Sequence, residues 1–220
     1  MIERVEALLN FFEPKEVPFL MKVVREVEKL RIDLPVLYAG SGGDVEHGII
    51  LGNEIIFVDS HLPDITLSEI KKKIIEIGCK ILREKTVGKL GRGGKYIINF
   101  EFFGRIRITY FAEDIMKILK ELKSGLSVYF VKVPHPKEPN VSDLKSPEVL
   151  SKALSLIVLN GFYLERECPL PNPELIGFEK VASGYISALS IHNDKGNLYR
   201  RVKRLSEEEI MFYLSNVQYK

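Results

Sequence analysis

The sequence predicts an α/β domain built on a doubly wound, mostly parallel sheet with helices on both faces. Three observations predict it. Short apolar runs alternate with amphipathic stretches along the chain, the pattern of strands feeding crossover helices. The first two of those runs stop at strand-breaking residues, Gly40 and Asp59. The 220 residues, 45% hydrophobic and 28% charged, are enough to bury one sizeable core. The reading is of a single domain over 1–220. It has an N-terminal helical segment (1–33), an α/β core (34–192), and a C-terminal basic segment with a helix (193–220).

Taken in order, Glu13 to Arg31 reads as a helix. Phe19, Leu20, Val23, Val24, Val27 and Leu30 recur at steps of three and four, and Pro18 marks its start. Val36 to Ala39 is a buried strand stopped by glycines, and Asp44 to Leu51 is a short helix ended by Gly52. Ile55 to Val58 is a second buried strand. Thr66 to Leu82 reads as a helix with Thr66 as N-cap, Glu69 at the capping-box position and Ile70, Ile74, Ile75 and Ile77 as its apolar stripe. Two β-rich runs, Lys95 to Phe102 and Arg105 to Phe111, flank Phe103-Gly104 and suggest a hairpin inserted before the third strand. Glu113 to Leu122 is a helix and Leu126 to Val133 a strand. Ser146-Pro147 opens a helix that runs to a C-cap at Asn160-Gly161. Phe162 to Glu167 is a strand, and Phe178 to His192 is a terminal antiparallel pair around Ser183-Gly184. Ser206 and Glu209 form a capping box for the last helix.

Composition narrows the setting. No apolar stretch approaches the roughly 18 to 20 residues of a membrane span. The first twelve residues carry Glu3, Arg4 and Glu6, an amphipathic pattern rather than a secretory signal. A cytoplasmic location is therefore expected. Cys79 and Cys168 read as buried thiols rather than a disulfide or a zinc site. Lys, Glu and Ile abound and Gln218 is the only glutamine, a bias resembling that of hyperthermophile proteins. The net charge of +2 does not argue for nucleic acid by itself.

Parallel sheets bind ligands outside the carboxyl ends of their strands, which selects four loops. The first is Gly40-Ser41-Gly42-Gly43-Asp44. Glycine serves where φ is positive or where a ligand must come close, and the helix that follows offers free N–H groups to an anion. The dinucleotide fingerprint G-x-G-x-x-G is incomplete, because Val45 stands at its third glycine. The second loop supplies Asp59, nineteen positions after Gly40, followed by Ser60. An acid near that distance, ending the second strand, is placed to hold a ribose. The third is Ala112-Glu113-Asp114. Its acids either accept from an exocyclic amine or oppose the dipole of the next helix. The fourth is Pro134 to Lys137.

This pattern resembles the class I S-adenosylmethionine-dependent methyltransferases. The resemblance implies a cofactor, S-adenosylmethionine, cradled at Gly40, Ser41, Gly42, Gly43 and Asp44. Its ribose would lie at Asp59, with Ser60 also in the cofactor site, and its base at Glu113 or Asp114. The chain departs from the family pattern at three places. Tyr38 stands for an acid two residues before the first glycine. Asp44 replaces the third motif glycine, and Val133-Pro134-His135-Pro136 follows the fourth strand, where base-amine methylases often carry Asn-Pro-Pro-Tyr.

His135 is a candidate base, held between two prolines, and the alternative is an exposed loop histidine. No histidine pair has metal-ligand spacing, so no metal is expected. Gly88 to Lys95 fails the phosphate-loop pattern because Tyr96 follows Lys95, and reads as a connection or a lid. Arg200 to Arg204 either meets RNA phosphates or an acidic partner, or pairs with Glu207 to Glu209 as a solvated surface. The expected partners are a small-molecule cofactor and an acceptor the sequence does not name. A nucleic acid and a second copy of the chain stay open. The rival readings are a non-catalytic nucleoside-binding or scaffold protein of the same fold, and an NAD-type oxidoreductase.

Overall fold

The computed structural model describes residues 1–31, 33–60, 63–123, 125–132, 144–166, 169–187 and 195–216. The chain begins with α1 (Ile2–Ala7), a 3-10 turn (Leu9–Phe11) and α2 (Val17–Glu28). Pro18 sits in the first turn of α2, where its missing N–H costs no bond. The three- and four-residue spacing then brings Phe19, Leu20, Val23, Val24 and Val27 into the core. Next come β1 (Val36–Ala39), α3 (Val45–Ile49), β2 (Glu54–Val58) and α4 (Pro63–Glu76). After them follow β3 (Lys80–Val87), β4 (Lys95–Glu101), β5 (Arg105–Phe111), α5 (Ile115–Glu121) and β6 (Leu126–Lys132). The last part holds α6 (Pro147–Leu156), β7 (Ile157–Arg166), a 3-10 turn (Pro173–Ile176), β8 (Phe178–Tyr185), β9 (Lys195–Arg201) and α7 (Glu207–Asn216).

The nine strands form one sheet in the order β3-β4-β5-β2-β1-β6-β7-β9-β8. The central five, β5, β2, β1, β6 and β7, pair in parallel. The strands at both edges pair antiparallel. All four residues of β1 are buried, which explains why it reads as an uninterrupted apolar run rather than an alternating one. Side chains on the two faces of the sheet feed two cores. One packs under α1, α2, α3 and α4, the other under α5, α6 and α7. Chain order leaves β1 for β2 on one side and reaches β6 on the other, so the strand order reverses between β1 and β6. The crevice beyond their carboxyl ends is where such a sheet takes a ligand.

Four elements differ from the sequence reading. α4 starts at Pro63, so Thr66 lies buried inside it rather than capping it, and Ile75 faces outward at 64% exposure. The helix stops at Glu76, and Ile81 and Leu82 belong to β3. β3 hides in the sequence because nearly all of it is exposed at the sheet edge, so its apolar residues, Ile81, Leu82 and Val87, mark no buried face and give no period. α6 stops at Leu156 and the chain enters β7 at once. Asn160, with φ at +66°, lies within that strand near an irregularity in its pairing with β6, not at a helix cap. β8 runs straight through Ser183-Gly184, and its partner is β9, beyond His192.

Two residues of the basic cluster, Arg200 and Arg201, consequently belong to β9, and Lys203 and Arg204 follow it. Arg200 donates from Nε to Glu179 at 2.7 Å. Arg201 is buried and donates to the carbonyls of Leu154, Ser155, Ile157 and Leu205, tying the carboxyl end of α6 to β9. Cys79 is buried just before β3, and burial pushes its thiol up to about 11, which keeps it unreactive. Cys168 lies outside the described residues.

Candidate functional site

The loop after β1 is shaped by backbone requirements. Gly40 has φ at +69°, and a Cβ there would stand 2.9 Å from the Lys132 carbonyl on β6. Gly43 needs its missing side chain for a different reason: a Cβ would stand 2.6 Å from that of Glu69 on α4. The loop is thus pressed between β6 and α4, and its conformation admits little else. The Gly42 N–H donates to Asp59 Oδ2 at 2.8 Å, while the Asp59 N–H donates to the Phe111 carbonyl at 3.0 Å. Asp59, at the end of β2, therefore links the glycine loop to the end of β5. Ser60 is exposed just beyond it. Ser41 is buried, and among the described residues its Oγ has no hydrogen-bond partner.

Asp44 closes the loop as the N-cap of α3. Its carboxylate is the centre of a nearly buried network. Oδ2 accepts from the Tyr38 hydroxyl and from Lys132 Nζ, each at 2.5 Å, and Oδ1 meets His47 Nδ1 at 2.7 Å. His47 Nε2 contacts Glu16 at the start of α2. Tyr38 is fixed by stacking on Phe130 at 4.2 Å and by an edge contact with Phe57. Burial alone would raise the Asp44 carboxyl, yet His47 and Lys132 together hold it well below the usual carboxylate range. Burial likewise opposes the charge on His47, but Asp44 and Glu16 overcome it and raise the imidazole above its ordinary value. Burial, then the neighbouring Asp44 charge, pushes the Tyr38 phenol far up, so it stays protonated as a donor. Two residues on from Asp44, Glu46 is buried against Lys73 of α4 at 2.9 Å.

The third loop is engaged otherwise. Asp114 is the N-cap of α5 and accepts from Met116 N–H at 2.8 Å and Lys117 N–H at 3.2 Å. Glu113 is buried, accepts from the Gly93 N–H and pairs with Lys117 Nζ at 2.9 Å. These two contacts, Lys117 first, hold its carboxyl below the ordinary value. The turn 88–94 between β3 and β4 is thereby fastened to the mouth of the cleft.

The fold accordingly gathers Gly40, Ser41, Gly42, Gly43, Asp44, Asp59 and Ser60 at the strand-order reversal. It sets Glu113 and Asp114 at the end of β5. His135, the candidate base, lies outside the described residues. Sequence reasoning missed Lys132 and Glu16. Lys132 carried a signal, as the cation that ends an otherwise apolar strand. Glu16 carried none, because its role depends on where α2 docks.

No known family and no curated protein matches the chain by sequence. Solved structures do match it by shape. A candidate methylase of Haemophilus influenzae superposes with a TM-score of 0.53 at 10% identity, over 86% of this chain and all of the other. The N-methyltransferase NodS of Bradyrhizobium japonicum gives 0.51 at 8% identity, over 87% of this chain and 98% of its own. The magnesium protoporphyrin IX methyltransferase of Synechocystis, solved with bound S-adenosylmethionine, gives 0.50 at 15% identity, over 84% and 78%. With its central parallel strands, its reversal at β1 and β6 and its antiparallel far edge, the chain has the fold of the class I S-adenosylmethionine-dependent methyltransferases.

Proposed function

We propose that the chain binds S-adenosylmethionine at the glycine loop and transfers its methyl group to a nucleophile presented beyond β1 and β6. The carrying observation is the loop at the strand-order reversal, closed onto Asp59 through the Gly42 N–H. Two local features fit such a guest. Ser41 Oγ is buried and unpartnered among the described residues. At Gly42 a Cβ would meet nothing closer than Asp59 Oδ2 at 4.0 Å, so the backbone lies open to close approach.

When bound, the cofactor supplies a methyl group already activated on a sulfonium. The protein's share is then positioning, since in-line transfer between held reactants gains most from orientation. Asp59 and Ser60 offer oxygens to ribose hydroxyls, and the buried Glu113 and the Asp114 cap border the base side. Asp44, already bonded to Tyr38, His47 and Lys132, acts by fixing the loop rather than by touching a guest. That same saturation favours the second reading, a protein that keeps the nucleoside pocket without chemistry.

Thermal unfolding with S-adenosylmethionine, S-adenosylhomocysteine and NAD tests the pocket. At a hundredfold excess over its dissociation constant, a ligand of the folded state stabilises by about 2.7 kcal/mol. A shift with the sulfonium cofactor that vanishes in Asp59→Ala is the expected result. A shift with NAD alone would replace the methyl-transfer reading by an oxidoreductase one, and no shift with any ligand would remove the pocket assignment.

A further inference from the structure

The segment 80–107 is electrically unlike the rest of the chain. It carries eight basic residues and two acidic ones, a net +6 in a protein whose total is +2. The remainder is therefore acidic. Pairing register shows where these cations go. Across β3, β4 and β5, Arg83 aligns with Asn99 and Arg107, Lys85 with Ile97 and Thr109, and Lys80 with Glu101 and Arg105. Aligned residues of a pleated sheet share a face. The opposite face holds Tyr96, Ile98 and Phe100, buried toward the core that α4 helps to cover. The basic face is left open: Arg83, Lys85, Arg105 and Arg107 are all exposed.

Most of these cations are also unspent. Lys71 takes the Glu84 carboxylate on the other face at 2.6 Å, and Arg107 only approaches Glu54, at 4.0 Å. Among the described residues, Lys80, Arg83, Lys85 and Arg105 form no ion pair. The same holds for Lys89 and Arg92 in the turn 88–94. That turn lies at the mouth of the cleft, since Gly93 donates to Glu113 there. A row of unpaired cations, with same-face neighbours about 7 Å apart along a strand, leads from the open sheet face to the cleft.

We propose that the open face of β3, β4 and β5, with the turn 88–94, is a docking surface for the phosphodiester backbone of a nucleic acid. An exposed edge strand lined with lysine and arginine also guards against sheet-to-sheet association, but that need is met by one or two charges. It does not account for cations continuing across three strands and into the turn. The surface is independent of the methyl-transfer reading, and binding is measurable without any cofactor.

The test is fluorescence anisotropy of labelled 20-nucleotide RNA and DNA, single-stranded and duplex, at 50 to 200 mM salt. The expected result is binding that weakens steeply with salt, log K falling by about 0.7 to 0.9 per phosphate contacted for each decade of salt. Arg83→Glu/Lys85→Glu/Arg105→Glu should weaken it at least tenfold and flatten the salt slope by about one unit per contact removed. Lys89→Glu/Arg92→Glu should act in the same direction. It lies in a turn outside the strands and keeps the test decisive should the triple variant fold poorly. Lys22→Glu/Arg25→Glu on α2 changes the charge at a remote face and should leave binding intact. The four probes identify which nucleic acid is preferred. No binding of any probe at 50 mM salt overturns the proposal, as does an equal loss in the α2 variant. So does competition by a polyglutamate peptide matching that of RNA at equal charge, which would assign the face to an acidic protein.

Discussion

At the scale of single residues, the Asp44 carboxylate is where sequence departure and structural compensation meet. The acid that the resemblance places at position 38 is absent, and Tyr38 instead donates to a carboxylate supplied from position 44. The arrangement keeps a negative charge beside the end of β1 while its source moves to the N-cap of α3. Because Asp44 neutralises Lys132 and His47 in a nearly buried site, Asp44→Asn should cost on the order of 3 kcal/mol in urea unfolding, the scale of breaking a buried ion pair. The double variant Asp44→Asn/Lys132→Met should cost less than the sum of the singles. His47 adds a pH dependence of known sign. Its folded pKa is raised, so its contribution is complete below the ordinary imidazole value near 6.5 and fades as pH rises through the folded pKa. The stability gap between the wild type and His47→Gln should therefore be widest below pH 6.5 and narrow above it. A gap that holds constant from pH 5.5 to 9 would mean that folding leaves the His47 pKa unshifted, and a gap that shrinks below pH 6.5 would mean that the imidazole is held neutral in the folded protein.

At the scale of elements, two joints hold the architecture by contacts that no periodicity announces. Arg201 satisfies carbonyls at the end of α6 and beyond β9, where a cation also opposes the helix dipole. Arg201→Met would strand several buried carbonyls at once and should destabilise by about 3 kcal/mol or more, read by chemical denaturation. Gly43→Ala tests the glycine loop in the same way. Its Cβ would press on Glu69, so a loss of about 1 to 3 kcal/mol is expected from overpacking, and the loop would move away from α4. What could be read from sequence follows from this distinction. The central strands, α2 and the cap of α6 were legible because burial on both faces, a 3.6-residue stripe and Ser-Pro are local signals. The glycine loop and Asp59 were legible as residues, since strand ends punctuate the text. β3 was not, because an exposed edge strand has no buried face to imprint a period. Nor was β9, whose basic text resembles a surface while Arg201 is buried by its partners. Lys132 and Glu16 join the site only through packing of distant segments, 88 and 31 residues from their partners.

Across the whole molecule, stability and charge are distributed unevenly, and the two distributions run in parallel. β1 is paired on both sides and buried on both faces. Its amides can open only when the sheet comes apart, so their hydrogen exchange should report global unfolding, about 5 to 15 kcal/mol for a domain of this kind. β3 pairs with β4 alone and exposes nearly every side chain. Local fraying should release it without disturbing β1. Native-state exchange should accordingly show β3 amides at least about tenfold less protected than those of β1, β2 and β6. Lys80, Arg83 and Lys85 on β3 thus sit on the part of the sheet cheapest to reshape, whereas the glycine loop and Asp59 hang from strands that move least. A rigid centre suits a site that must hold geometry, and a compliant edge suits an extended partner gripped by charge. If β3 exchanged as slowly as β1, the sheet would be one cooperative unit out to its edge, and the division of labour between centre and edge would have no basis in stability.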